Sequence, residues 1–178
     1  VYIGFGSMVS GDMGELAEII RQAVKLSGVR AVVALGWGQQ EAKTKDANIF
    51  YVKSVPHDWL FPHMAGAVHH GGAGTTATSL RHALPTLVVP FGGDQPFWAE
   101  RVYAAGCGPK AIPRDKLTAE NLAEGLRALI SNPEYTRNAA CIGEALRNEH
   151  GCANAADLIE KEVWDWENGN PAQDVMNI

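Results

Sequence analysis

The chain has 178 residues, 46% of them hydrophobic, which is enough apolar material for one core and too little for two comfortable ones. Its formal net charge of −5, with no cluster of Lys and Arg, argues against a nucleic-acid or acidic-membrane surface. The three cysteines, Cys107, Cys141 and Cys152, have neither CxxC nor zinc-like spacing and fit reduced thiols in a cytoplasmic protein, and no apolar run approaches the ~20 residues of a membrane span.

In chain order the sequence alternates strand and helix signals. VYIGF opens the chain without a preceding Met, which suggests a piece of a longer protein. The periodic stretch from Leu16 to Leu26 follows, then AVVAL at 31–35 and NIFYV at 48–52. AGAVH at 65–69, a helix from about Gly74 to His82, TLVVP at 86–90 and a helix from about Gln95 to Ala105 continue the pattern. Beyond Pro113 the chain reads as helical: Thr118 caps TAENLAEGLRALI, Asn132-Pro133 places a cap and then a proline at the first helical position, and another helix runs from near Cys152 to Trp166. Short apolar strands between helices predict an α/β fold, a Rossmann-like parallel sheet with helices on both faces. The expected domain covers 1–166, with a polar, frayed tail over 167–178.

In such sheets ligands sit outside the carboxyl ends of the strands, so the turns after strands are the ones to inspect. Three are rich in glycine: Gly4-Phe5-Gly6-Ser7, His69-His70-Gly71-Gly72-Ala73-Gly74-Thr75-Thr76, and Phe91-Gly92-Gly93-Asp94-Gln95. Gly72, Ala73 and Gly74 allow close approach of backbone to a ligand, and Thr75 and Thr76 open a helix with free N–H groups at its positive end, an environment suited to phosphate. A tight structural turn is the alternative reading of any one of these loops, but three on one sheet edge favour the anion cradle. The adjacent histidines at a strand end face opposite sides and cannot together chelate one metal. His70, next to the glycines, is read as the donor to a phosphate oxygen and His69 as packing; the same alternation allows the reverse.

Gly72-Ala73-Gly74-Thr75-Thr76-Ala77 also satisfies G-x-G-x-x-G/A, with Asp94 20 residues beyond Gly74, so an NAD-type or other non-catalytic nucleotide-binding module is the alternative. That fingerprint normally opens the first βα unit, whereas at least three strand signals come earlier here. No G-x-x-x-x-G-K-[ST] occurs. Asp58 is expected to cap a helix rather than form a dyad with His57, and Trp164 and Trp166 to pack on a domain face. Arg81, His82, Glu100 and Arg101 read as solvated helix faces, and His63 and His150 carry no functional expectation.

The combination of GFGS at 4–7, VPHDWLFP at 55–62, HHGGAGTT at 69–76 and PFGGDQPFWAERV at 90–102 strongly resembles the carboxyl-terminal half of GT-B nucleotide-sugar glycosyltransferases. Within that group it looks most like the sterol 3-β-glucosyltransferases of fungi and plants. The resemblance implies that Gly6 and Ser7 lie beside the phosphates of UDP-glucose, that His70 contacts the diphosphate, and that Gly72, Ala73, Gly74 and Thr75 present N–H and hydroxyl groups to it. It further implies that Asp94 and Gln95 bind the sugar hydroxyls and that Val55 reads the uracil edge. Where related plant transferases stack a Trp on the base, this chain has Ser54; Trp37 is the candidate platform, with packing on the sheet edge its other reading. The implied reaction is inverting, with an acceptor such as a sterol and a general base in an amino-terminal domain absent here, so the chain alone is expected to bind donor without turnover. No D-x-D pair is present to hold a divalent ion, so no cofactor and no metal are expected, and membrane contact is expected only through other domains.

Overall fold

The computed structural model describes residues 1–6, 13–34 and 46–168. The elements are β1 (Tyr2–Gly4), α1 (Met13–Ser27), β2 (Ala31–Ala34), β3 (Ile49–Val52), α2 (His57–Leu60), β4 (Ala67–His69), α3 (Ala73–Arg81), β5 (Thr86–Val88), α4 (Gln95–Ala104), α5 (Ala119–Ser131), α6 (Pro133–Asn148) and α7 (Gly151–Glu167). By contact density they form two compact units, Val1–Leu146 and Arg147–Ile178. Helix α7 falls in the second unit.

The first unit holds a five-stranded, wholly parallel sheet in the order β3-β2-β1-β4-β5. This is the Rossmann-like α/β arrangement expected from the sequence. The strands are short and mostly buried, as a sheet covered on both faces requires. Ile3, Val33, Val68 and Leu87 turn to one face, where they meet Leu16, Ile20 and Val24 of α1 and Leu122, Leu126 and Leu129 of α5. Tyr2 and Ala67 turn to the other and pack with Leu60, Phe61 and Leu84. A third cluster joins Val88 to Ala99 and Val102 of α4 and to Ala139 of α6.

Local chemistry sets the helix ends. The hydroxyl of Thr118 accepts from the Asn121 N–H at 3.3 Å while the Thr118 N–H donates to Asn121 Oδ1 at 2.9 Å, a reciprocal capping box at the start of α5. Asn132 Oδ1 accepts from the Glu134 N–H at 3.1 Å, with Pro133 opening α6.

The strand order reverses between β1 and β4: the chain winds outward from β1 to β3, then returns to β4 on the other side of β1. Register sets Gly4 beside Ala34 on one flank and beside His69 on the other, and His69 beside Val88. The crevice at the carboxyl ends of β1 and β4 is therefore the topological switch point, where an open α/β sheet takes its ligand.

Candidate functional site

A cleft of about 230 Å3 opens at that switch point, its walls supplied by Gly4 at the end of β1 and Gly6 just beyond it, Ala34 at the end of β2, Val55 after β3, and His70 and Thr75 beyond β4. A larger hollow of about 680 Å3 lies at the opposite edge, against Arg30, Asn48 and Ala65 at the amino ends of the strands. The smaller cleft is the candidate site because parallel sheets direct loop chemistry and helix amino termini to their carboxyl edge.

The sequence His69 to Thr76 builds one side of the cleft. His69 is fully buried, and its Nδ1 accepts the Gly71 N–H at 3.0 Å. Burial, with lesser contributions from His70 and His57, lowers its pKa to about 3, so the ring is neutral and carries its proton on Nε2. His70 is only half-buried and lines the cleft. Desolvation lowers its pKa, with Asp94 opposing, so a neutral imidazole is favoured there too.

Two glycines hold the His70 ring. A Cβ on Gly72 would stand 2.6 Å from His70 Nε2, and one on Gly6 would stand 3.3 Å from its Cε1. Gly6 also has φ +61°, and Gly71 has φ +91°. A Cβ on Gly71 would reach 2.6 Å from Val88 Cγ1 and 3.2 Å from the Gln95 carbonyl oxygen, so the turn is pressed between β5 and the start of α4.

Helix α3 then begins with Gly72 at its N-cap, without a side-chain cap and without an acidic residue in its first turn. The Thr76 N–H bonds to the Gly72 carbonyl at 2.9 Å; the amides of Ala73, Gly74 and Thr75 precede that bond and form the positive end of the helix. Among the described residues, the buried side-chain polar atoms lacking a partner include His69 Nε2, His70 Nδ1 and Thr76 Oγ1, all within this one segment. Such a concentration is characteristic of a site rather than of a packed turn.

The structure thus gathers Gly6, Val55, His70 and Thr75 on one cleft, with Gly72 against the His70 ring. Asp94 and Gln95 stand at the start of α4. Asp94 is exposed and its Oδ2 accepts from Trp98 Nε1 at 2.8 Å. Gln95 is 5% exposed, and its Oε1 accepts the N–H groups of Phe91 at 2.7 Å and Gly92 at 3.3 Å. Gln95 therefore braces the third glycine turn, a role the sequence reading did not foresee. Ser7 and Trp37 lie outside the described residues.

The sequence reading missed the floor of the cleft. Tyr2 lies over Gly4, where a Cβ would collide with the tyrosine hydroxyl, and that hydroxyl shares a hydrogen bond of 3.0 Å with His57 Nε2. His57 stacks on Phe61 with ring centroids 4.5 Å apart. The alternation Tyr2-x-Gly4, a large residue two before a glycine at a strand end, was the available signal.

Two expectations are corrected. Asp58 does not cap α2, whose N-cap is Pro56; instead its Oδ1 meets His82 Nε2 at 3.1 Å, tying α2 to the end of α3. His82 is consequently a tethered residue, packed edge-on to Phe61, rather than a solvated one. The physical reason is the short α2, which points its first turn at a neighbour. Trp164 and Trp166 are 61% and 77% exposed. Among the described residues no cluster of three or more His, Cys, Asp or Glu side chains could hold a metal ion, and no helix is long and apolar enough to cross a membrane.

The profile of the erythromycin biosynthesis protein CIII-like C-terminal domain matches residues 18–160. The chain belongs to this family. It is an EryCIII-like carboxyl-terminal domain of GT-B glycosyltransferases. A sterol 3-β-glucosyltransferase of Arabidopsis thaliana is 43% identical over 165 residues, covering 92% of this chain and 27% of its own length. The chain thus spans about a quarter of that relative. Among solved structures, Os79 from O. sativa in complex with U2F and trichothecene superposes with TM-score 0.78 at 17% identity, covering 90% of this chain and 41% of that one. Glycosyltransferase VinC in complex with DTDP superposes with TM-score 0.72 at 24% identity and the same coverages. These two likenesses show the GT-B carboxyl-terminal fold.

Proposed function

We propose that this EryCIII-like domain holds UDP-glucose for an inverting glucosyltransferase whose acceptor is a sterol or a similar lipophilic alcohol. The observation that carries the reading is the His70 ring, seated between Gly6 and Gly72 beside the uncapped start of α3. The relatives support the donor and acceptor classes: one is named a sterol 3-β-glucosyltransferase, and two similar folds hold DTDP and U2F.

In this reading the diphosphate lies along the α3 amino terminus, taking N–H groups from Ala73, Gly74 and Thr75. The base lies toward Val55, and the glucose lies toward Asp94 and the amide end of Gln95. Ser7 and Trp37 keep their proposed places beside the phosphates and the base. The acceptor oxygen attacks the anomeric carbon in line as the bond to the β-phosphate oxygen breaks, and negative charge collects on that phosphate. A neutral His70 still donates one N–H, and each fixed donor aimed at developing charge in a dry site is worth on the order of 3 kcal/mol. The helix terminus and His70 together take the place of a divalent ion.

The base that removes the acceptor proton is assigned to a part of the full-length protein outside this chain. The isolated domain then binds donor without turning it over, and the dinucleotide alternative gains no support from the family to which it belongs. We also place the protein in the cytoplasm, with membrane contact made by other segments.

Calorimetric titration of UDP and UDP-glucose, with and without EDTA, tests this. Binding that survives EDTA supports the metal-free cradle. An absolute requirement for divalent ion, or preference for NAD(H) over UDP, overturns it.

A further inference from the structure

We infer that His69 is a positioning residue for the donor site: its Nδ1 holds the Gly71 amide and thereby fixes the turn that delivers His70 and the amino end of α3 to the cleft. The inference rests on the reading of that cleft as a UDP-sugar site.

Three observations converge on it. First, the Gly71 N–H to His69 Nδ1 bond of 3.0 Å is buried, and losing the acceptor of a buried donor carries that donor's desolvation penalty. Second, Gly71 sits at φ +91° against Val88 and the Gln95 backbone, so the turn has no room to shift toward β5 or α4 and find another partner. Third, His70 is confined by Gly6 and Gly72, whose hypothetical Cβ atoms would lie 3.3 and 2.6 Å from its ring. Displacing residues 70–72 by a few tenths of an ångström therefore moves the imidazole itself.

His69 can serve only as a neutral ring with an unprotonated Nδ1, and complete burial on the Tyr2 face of the sheet enforces that form. A purely space-filling role would be satisfied by any apolar side chain of similar size. An acceptor role would not.

Asparagine separates the two, because its Oδ1 stands the same number of bonds from Cα as Nδ1 of histidine. UDP affinity is measured by calorimetry, and melting by circular dichroism, on the whole 178-residue chain as wild type, His69→Leu and His69→Asn. The expected result is that folded His69→Leu binds UDP about tenfold more weakly, about 1.4 kcal/mol. His69→Asn should recover most of that loss even where its melting temperature stays as low as that of His69→Leu. Wild-type affinity in folded His69→Leu, or no recovery in His69→Asn, overturns the inference alone. Failure of the wild type to bind UDP overturns the donor-site reading and this inference with it. Nitrogen-15 NMR of the wild type gives a reading that does not depend on variants folding: a neutral ring protonated at Nε2 is expected, and a ring protonated at Nδ1 overturns the assignment.

Discussion

Tyr2 Oη and His57 Nε2 stand 3.0 Å apart, joining the first strand to the segment after the third across the floor of the switch-point cleft. Gly4 makes the contact possible, since a side chain there would occupy the place of the tyrosine hydroxyl. Burial pushes the Tyr2 pKa up to about 12, so the hydroxyl keeps its proton and remains a donor at any working pH. Tyr2→Phe should cost about 1 kcal/mol, read as a lower urea midpoint at unchanged slope. An unchanged midpoint would mean that the bond contributes nothing net.

The three histidines around the cleft give the chain a defined response to acid. His69, His57 and His70 all have pKa values lowered chiefly by desolvation, His69 to about 3. A lowered folded-state pKa on a base means that the unfolded chain takes up protons first. The stability is complete above the ordinary value near 6.5 and is lost as the pH falls below it. From His69 alone the loss at pH 5 is about 2 kcal/mol, since each pH unit below 6.5 is worth about 1.4 kcal/mol until the folded pKa is reached. Denaturation at pH 7.5 and pH 5.0 should show this difference in wild type and a smaller one in His69→Asn. Equal differences in both would show that His69 does not couple folding to protons.

Ala83, just past the end of α3, has φ +58°, a left-handed conformation that costs an L-residue about 1–2 kcal/mol. Ala83→Gly should relieve that cost, net of added chain entropy, and raise the melting temperature by about 2–4 °C. A lower melting temperature would show that the alanine methyl contributes more by packing than it costs by strain.

Gly72→Ala tests the seat of His70, because the added Cβ meets Nε2 at 2.6 Å. UDP affinity should fall about tenfold or more while melting changes little, the clash falling on a half-buried ring rather than on the core. A variant that melts as wild type and binds UDP as wild type would separate His70 from the nucleotide.

Asp94 and Gln95 call for separate tests, because the Gln95 side chain is also tied to the backbone of residues 91 and 92. Asp94→Ala should weaken UDP-glucose by roughly 1.5–3 kcal/mol and leave UDP nearly unchanged, as expected of a carboxylate bonded to sugar hydroxyls. Gln95→Ala also removes the acceptor for the Phe91 and Gly92 amides, so it should lower stability as well as sugar affinity. Equal loss of UDP and UDP-glucose in Asp94→Ala would contradict the assignment.

Periodicity and turn chemistry made most of the fold legible. The strand signals at 31–35 and 48–52 became β2 and β3, Thr118 capped α5 as its spacing suggested, and three glycine turns came to one edge. What stayed hidden depends on which side chains cross between elements. Nothing local shows that Tyr2 reaches His57, that Asp58 crosses to His82, or that Gln95 turns back on residues 91 and 92. The different surroundings of His69 and His70 were similarly open. Alternation along a strand shows that neighbours face apart, but which faces solvent depends on packing from α2, α3 and α4.

The most direct measurement is nitrogen-15 NMR of the chain during titration with UDP. The described residues form a cleft at each of two opposite edges of one sheet, and amide shifts show whether the ligand occupies either. The donor-site account predicts saturable shifts concentrated at Gly6, Val55, His70 and Gly72 to Thr75, undiminished by EDTA. Shifts concentrated at Arg30, Asn48 and Ala65 instead, or none at saturating UDP, would contradict it.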